Sequence, residues 1–158
     1  MEYIIRKMTP TEYSQLNDFL YHAIFIPEGI APPPYEIIFQ PELQVYTKDF
    51  GQSAHDRALV AVVNQQIVGA VWVRIMADYG HIDAETPSFA ISLVPEFRAK
   101  GIGTALMQTM LTELLAAGYR HASLSVQKAN YAERMYRKLG FRIIGETAEE
   151  YLMRYDFV

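Results

Sequence analysis

The sequence contains no cysteine, which excludes disulfides, a thiol nucleophile and any zinc site built on cysteine. It is also short of positive charge, because 14 Lys and Arg residues stand against 18 Asp and Glu residues, a formal net charge of −4. That balance has the wrong sign for a protein whose main partner is a long polyanion, so we expect no nucleic-acid partner.

Long apolar runs are missing as well. The stretch from Ala58 to Val73 is shorter than the ~20 apolar residues of a spanning helix and is interrupted by Asn64-Gln65-Gln66. The first residues place an acid, Glu2, ahead of only a short aliphatic pair and then Arg6, which is not the pattern of a signal peptide. We therefore expect no membrane partner and a cytoplasmic location.

What the sequence does contain is enough apolar material for a real core. Its 158 residues are 51% hydrophobic and 20% charged, which predicts one globular domain over residues 1–158. The one compositional break, the proline run 32–34, lies inside the first third of the chain, too early for a domain boundary.

The first fifty residues begin with clear local signals and then lose them. Tyr3 to Ile5 predicts a short strand, and Thr9-Pro10-Thr11-Glu12 supplies the capping hydroxyl, proline and acid that begin a helix. The apolar spacing of that helix ends before Pro27. Residues 25–50 have no clean period, so we expect a loop with one or two short helices.

The middle of the chain predicts a hairpin, a strand and a long helix. The hairpin joins Ala58–Val63 to Ile67–Met76 through a three-residue turn, and another strand covers Ser88–Val94. A helix follows from Ile102 to the stop at Gly118. Its buried stripe is expected to be Ile102, Leu106, Met110 and Leu114, widened by Met107, Leu111 and Leu115.

The remaining elements complete an alternating pattern. We expect a strand over 121–126, a helix over 131–139 closed by Gly140, and a final pair of strands over 141–146 and 151–157. The order predicts an α/β fold with a mixed, mostly antiparallel sheet flanked by helices.

One loop has the features of a phosphate site. A strand runs into Arg98-x-x-Gly101-x-Gly103 and then into an amphipathic helix, whose first amides have no partners within the helix. A plain tight turn explains the two glycines equally well. The P-loop and dinucleotide motifs do not fit, because neither the Gly-Lys-Ser/Thr end nor the third glycine is present.

Two segments resemble the motifs of one family. Residues 93–104 resemble the acyl-coenzyme A motif Arg/Gln-x-x-Gly-x-Gly/Ala of the GNAT superfamily of N-acetyltransferases. Residues 132–141 resemble its Ala-x-x-x-Tyr-x-x-x-Gly-Phe segment. The family's Asn usually stands three residues before that alanine, where this chain has Ala129, and the nearest asparagine is Asn130. The order of elements also agrees, which implies a GNAT-like fold.

The resemblance implies a site for acetyl-CoA. The pyrophosphate is expected on the amides at the helix start, and the pantetheine arm on the end of a strand that splays from its neighbour. Tyr136 is expected to protonate the departing sulfur, although the residues alone fit a half-buried aromatic, and Asn130 fits a helix N-cap. The implied coenzyme-binding residues are Leu93, Val94, Arg98, Ala99, Lys100, Gly101, Ile102, Gly103, Thr104 and Asn130.

No base for the amine is evident. Some family members carry a Glu on the strand before the loop, but residues 88–92 contain no acid. The acids and histidine of residues 78–85 are best interpreted as a solvated polar turn, and their spacing predicts no metal site. Residues 25–50 are expected to wall the acceptor pocket, with Glu28 as the acid that attracts the amine and takes its proton. The other candidates for a base are Asp78, His81, Asp83 and Glu85.

The resemblance implies an N-acetyltransferase that moves the acetyl group of acetyl-CoA directly to an amine. The absence of cysteine excludes an acetyl-thiol intermediate. A sensor that binds acyl-CoA without transferring its acyl group is the alternative. The sequence does not identify the amine acceptor, and it leaves a homodimer open.

Overall fold

The fold is built on one seven-stranded sheet, as seen in a computed structural model that describes residues 2–157. The strands lie in the order β1-β2-β3-β4-β5-β7-β6, and only β4 and β5 run parallel. This confirms the predicted α/β fold with a mostly antiparallel sheet. The strands are β1 Ile4–Lys7, β2 Arg57–Val63, β3 Gln66–Arg74, β4 Ser88–Leu93, β5 His121–Gln127, β6 Arg142–Glu146 and β7 Glu150–Asp156.

Helices cover both faces of the sheet. The N-terminal helix begins as a 3-10 segment over Pro10–Gln15, where Thr9 N donates to Glu12 Oε1 at 2.9 Å, and continues as α1. The aperiodic region holds two short helical pieces, as predicted. No helix within residues 2–157 is long and apolar enough to cross a bilayer. The helices are α1 Leu16–Ala23, α2 Pro41–Gln44, α3 Ile102–Ala116 and α4 Ala132–Leu139, with 3-10 segments at Pro10–Gln15, Tyr35–Phe39 and Pro95–Phe97.

The predicted hairpin is β2–β3, with a tighter turn than expected. Asn64 and Gln65 both have left-handed φ angles, 49° and 68°, as a two-residue type I′ turn requires. Gln66 pairs with Val63 and is therefore the first residue of β3 instead of part of the turn. The primed turn matches the twist of the two strands, which explains why it replaces a three-residue connection.

Two cores result from the alternation of side chains along the strands. Under α3 and α4 the predicted stripe is confirmed, since all four of its residues are fully buried. Leu115 is the exception, because it is 57% exposed on the side of α3 turned away from the sheet. The second core lies under α1 and surrounds Trp72, which is fully buried. The sheet therefore separates a face covered by α3 and α4 from a face covered by α1.

Candidate active site

The loop before α3 presents a row of free backbone amides. The six N–H groups from Ala99 to Thr104 donate to no backbone acceptor within the described chain, and the first helical bond is Ala105 N to Gly101 O at 3.2 Å. Ala99 and Gly101 have left-handed φ angles of 59° and 86°, an alternation that turns successive amides to one side. Such a concavity at a helix N-terminus binds anions, and the strain at Ala99 is typical of functional sites.

Arg98 holds this loop to its surroundings. Its Nε donates to the Leu93 carbonyl at 3.2 Å, and its Nη2 donates to the His22 carbonyl at the end of α1 at 3.1 Å. The side chain thus joins the loop, the end of β4 and α1. Two of the guanidinium donors of Arg98 are therefore occupied by carbonyls, and its expected part in coenzyme binding stays a prediction. Lys100 is exposed next to the free amides.

β4 and β5 separate as the family resemblance implies. They align at a single pair, Ser88 with Ser123, and diverge beyond it. β4 stays paired with β3 along its length, whereas β5 pairs with β7. A gap therefore opens in the middle of the sheet directly after Ser88.

The gap contains free backbone groups of β4, but not at Val94. Val94 N donates to the Val68 carbonyl at 2.9 Å, and the Val94 carbonyl accepts from Phe97 N at 3.0 Å. The Val94 N–H is therefore used by its register with β3, and Val94 as a coenzyme-binding residue stays a prediction. Backbone groups alternate in direction along a strand, so the N–H groups of Ile91 and Leu93 point away from β3 and into the gap.

Gly103 brings the start of α3 close to this gap. A methyl group on its Cα would lie 3.4 Å from Leu93 Cδ1, and 4.0 Å from both Ile91 Cδ1 and Met135 Sδ. The N-terminus of α3, the end of β4 and helix α4 therefore meet around one cleft.

Tyr136 on α4 is buried in the core under α3 and α4. It is 8% exposed and meets the Phe141 ring edge-on, with centroids 6.1 Å apart. Its hydroxyl forms no hydrogen bond within residues 2–157. The hydroxyl oxygen is not fully enclosed, so it keeps some access to solvent. Burial raises the pKa of Tyr136 to about 12. The phenol therefore stays protonated and can donate.

Asn130 caps α4. Its Oδ1 accepts from Ala132 N at 2.9 Å, which is the helix-capping role weighed from the sequence. The side-chain NH₂ group forms no hydrogen bond within the described chain and remains a donor. Capping fixes the side chain between the end of β5 and the start of α4.

Asp78, in the connection between β3 and β4, lies where the strands part. Ser88 Oγ donates to Asp78 Oδ1 at 3.1 Å and lies 3.2 Å from Ser123 Oγ, which in turn donates to the Gly80 carbonyl at 2.6 Å. Burial raises the pKa of Asp78 against the lowering effect of the Ser88 and Tyr46 hydroxyls. The sequence-based interpretation of a solvated turn is therefore wrong for Asp78. It agrees with His81, Asp83 and Glu85, which are exposed.

Two further groups face Asp78 that the sequence did not single out for chemistry. Burial, followed by the charge of Asp78, raises the pKa of Tyr46 above its ordinary value. Burial, followed by the charges of Glu149 and Asp78, raises the pKa of Glu150. Tyr46 and Glu150 lie more than a hundred residues apart in the sequence, so no local pattern could have grouped them. Among the described residues no three His, Asp or Glu side chains are arranged to hold a metal ion.

Glu28 is placed differently. It lies in an exposed turn closed by Ile30 N donating to the Pro27 carbonyl at 3.1 Å, and its carboxylate forms no hydrogen bond or ion pair within residues 2–157. Its catalytic role stays a prediction. The aperiodic segment does contribute Tyr35 to a cavity of about 300 Å³ between α1, the start of β3 and the end of β4.

The chain matches known acetyltransferases both in a family sequence profile and in fold. The model of the acetyltransferase (GNAT) family matches residues 25–141. No curated protein sequence matches the chain. A GNAT acetyltransferase from Streptococcus pneumoniae is 22% identical with a TM-score of 0.69, covering 98% of this chain and 99% of its own.

Two similar solved structures hold the coenzyme. The PaiA N-acetyltransferase from Thermoplasma acidophilum, in complex with coenzyme A, is 18% identical with a TM-score of 0.71 and 99% coverage of both chains. A GNAT acetyltransferase from Brucella melitensis, in complex with acetyl-CoA, is 21% identical with a TM-score of 0.63, covering 99% of this chain and 89% of its own. At these identities the likeness is one of fold.

Proposed function

The chain belongs to the GNAT acetyltransferase family, and on that premise we propose that it transfers the acetyl group of acetyl-CoA directly to an amine. The observation that carries the proposal is the row of six free amides from Ala99 to Thr104 beside the opened sheet. Coenzyme complexes among proteins of the same fold support acetyl-CoA as the donor.

The free amides fit the pyrophosphate of the coenzyme. A diphosphate needs several donors at once, and a helix N-terminus adds a favourable dipole. Arg98 keeps the loop against α1 and the end of β4, and Lys100 adds positive charge. We assign the pyrophosphate to residues 98–104, including Arg98, Ala99, Lys100, Gly101, Ile102, Gly103 and Thr104.

The gap between β4 and β5 fits the pantetheine arm and the thioester. The N–H of Leu93 faces that gap, where it pairs with the amide-rich arm or with the acetyl oxygen. Asn130 keeps a free NH₂ group at the far side of the gap, at the start of α4. A backbone N–H held by the β3–β4 ladder stabilises the oxyanion that develops during acetyl transfer without moving.

The chemistry then needs little from side chains. Acetyl-CoA supplies the activated acyl group, a nitrogen–carbon bond forms, the carbon–sulfur bond breaks, and the amine loses a proton. Tyr136 donates a hydrogen bond to the departing sulfur. With its pKa at about 12 and a thiol near 8.5, complete proton transfer would be uphill by roughly 5 kcal/mol, so the hydrogen bond suffices.

Binding and turnover test the proposal separately. Calorimetry with acetyl-CoA measures the donor site, and thiol release across a panel of primary amines measures transfer. We expect micromolar binding and amine-dependent thiol release that the hydrolysis background lacks. Binding without release for any amine would favour the sensor, and no binding at all would exclude both functions.

A further inference from the structure

The acceptor side of the gap carries a shielded carboxylate that lacks a cation. Shielded carboxylates in proteins are usually paired, because an isolated charge is costly to bury. The paired examples here are Asp56 with Arg74 at 3.0 Å, Glu12 with Arg6 at 2.8 Å, and Asp156 with Arg154 at 2.7 Å. Asp78 has no Lys or Arg partner within residues 2–157.

Several elements hold Asp78 at the point where the gap opens. Ser88 begins β4 and forms the single aligned pair of β4 with β5, and its Oγ donates to Asp78 Oδ1 at 3.1 Å. The phenol of Tyr46, on the segment after α2, lies close enough for its hydroxyl to lower the pKa of the Asp78 carboxyl. That segment is itself fixed, because Trp72 Nε1 donates to the Tyr46 carbonyl at 3.0 Å.

The position of Asp78 is opposite the coenzyme's proposed path. Phe89 and Ile91 of β4 pack with the core under α3 and α4, whereas Ala90 packs with the core under α1. Ser88 is on the same side of the strand as Ala90, so Asp78 reaches the gap from the α1 face. An amine approaching from that face meets the acidic groups, and the donor occupies the α3 face.

We propose that Asp78 binds the attacking amine and accepts its proton, with Ser88 and Tyr46 as positioning residues, an inference that rests on the proposed acetyl transfer. The bound ammonium first gives one proton through the Asp78 carboxylate to solvent, which leaves a neutral nitrogen that can attack. As the nitrogen–carbon bond forms, the nitrogen becomes acidic and passes its second proton to the Asp78 carboxylate, while the carbon–sulfur bond breaks and the sulfur leaves as a thiolate. The proton then returns to solvent. The acceptor class is an amine that is cationic in solution.

The groups around Asp78 agree with this role. The groups close to it are Ser88 from β4, the phenol of Tyr46, and Glu150 from β7. Glu150 adds a second negative charge on the same face, which favours a cation further. Burial raises the pKa of Asp78, so the carboxylate is a stronger base than an exposed aspartate.

The principal test compares two isosteric variants from one connection. Asp78→Asn should lower kcat/KM for a primary alkylamine by about 100-fold or more and remove the acidic limb of its pH profile, with acetyl-CoA affinity unchanged. Asp83→Asn is the matched control, since Asp83 is exposed and its Oδ1 accepts from Glu85 N at 2.9 Å. It should keep wild-type kinetics. An aniline, which is neutral at pH 7, should show no rise in KM in Asp78→Asn, whereas an alkylamine should.

A second variant keeps the inference testable should Asp78→Asn fail to fold. Ser88→Ala removes a hydrogen bond that favours the charged carboxylate, so the acidic limb of kcat/KM should move to higher pH. Wild-type thiol release with an unchanged limb in Ser88→Ala, or unchanged kinetics in Asp78→Asn, overturns the role of Asp78 and leaves the transferase intact. A wild-type protein without thiol release for any amine overturns the transferase and this inference together.

Discussion

Gly103 offers the sharpest test of where the coenzyme lies. Its backbone is helical, so an alanine is free of φ strain, and the added methyl would find ordinary contacts at 3.4–4.0 Å. We expect Gly103→Ala to stabilise the protein by about 0.5 kcal/mol, a rise of roughly 1–2 °C in melting temperature. Coenzyme affinity should stay near wild type, in line with the Gly/Ala allowed at this place in the family motif.

Gly103→Val should behave in the opposite way. Its γ carbons extend about 1.5 Å beyond Cβ, and the protein leaves no such space toward Leu93, Ile91 or Met135. The methyl groups therefore enter the cleft or push the amides out of line. Loss of two amide–phosphate bonds at about 1.5–3 kcal/mol each would raise the acetyl-CoA Kd at least about 100-fold.

Calorimetry on wild type, Gly103→Ala and Gly103→Val measures both effects, with thermal melting as the control for folding. Unchanged acetyl-CoA affinity in a folded Gly103→Val protein would refute the placement of the pyrophosphate at this loop. Equal losses in both variants would refute the steric argument.

Four further substitutions have defined outcomes. Tyr136→Phe should lower kcat about tenfold or more with acetyl-CoA affinity intact, and unaffected turnover would mean that Tyr136 only packs. Arg98→Ala should weaken acetyl-CoA binding by about 1–3 kcal/mol in calorimetry through a loosened loop, and an unchanged Kd would separate Arg98 from the site. Glu28→Gln should raise the KM of a cationic amine by weakening its electrostatic attraction, and wild-type kinetics would remove Glu28 from the acceptor pocket. Asp78→Asn should raise the melting temperature at neutral pH. Folding raises the pKa of Asp78, so the folded protein loses stability as the pH rises and the carboxyl ionises, and asparagine removes that charge. A lower melting temperature would contradict the burial argument.

The elements of the fold were largely predictable because their signals are local. Helical spacing located α3 and its buried stripe, and Gly140, with a φ of 117°, ends α4 where the sequence placed its stop. The errors were also local in origin. The turn at Asn64 is one residue shorter than predicted, and Leu115 is exposed because spacing alone does not fix the width of a buried stripe.

The donor half of the candidate site could also be predicted from the sequence. Its residues are consecutive, so one strand, two glycines and one helix start define the row of amides. The fold then refined individual roles. Arg98 binds two carbonyls, and the register of β4 with β3 uses the Val94 N–H and leaves that of Leu93 free.

The sequence offered Asp78 only as one of several candidate bases, and the tertiary structure is what distinguishes the proposed acceptor half. Asp78, Tyr46 and Glu150 come from three distant segments, and each has an ordinary local context in the sequence. These three side chains are distinguished by shielding from water and by the lack of a nearby cation. Both properties depend on which segments of the chain pack together. Backbone amides are present in every residue, so a loop sequence suffices to predict them, whereas the basicity of a carboxylate is set by its surroundings, which only folding assembles.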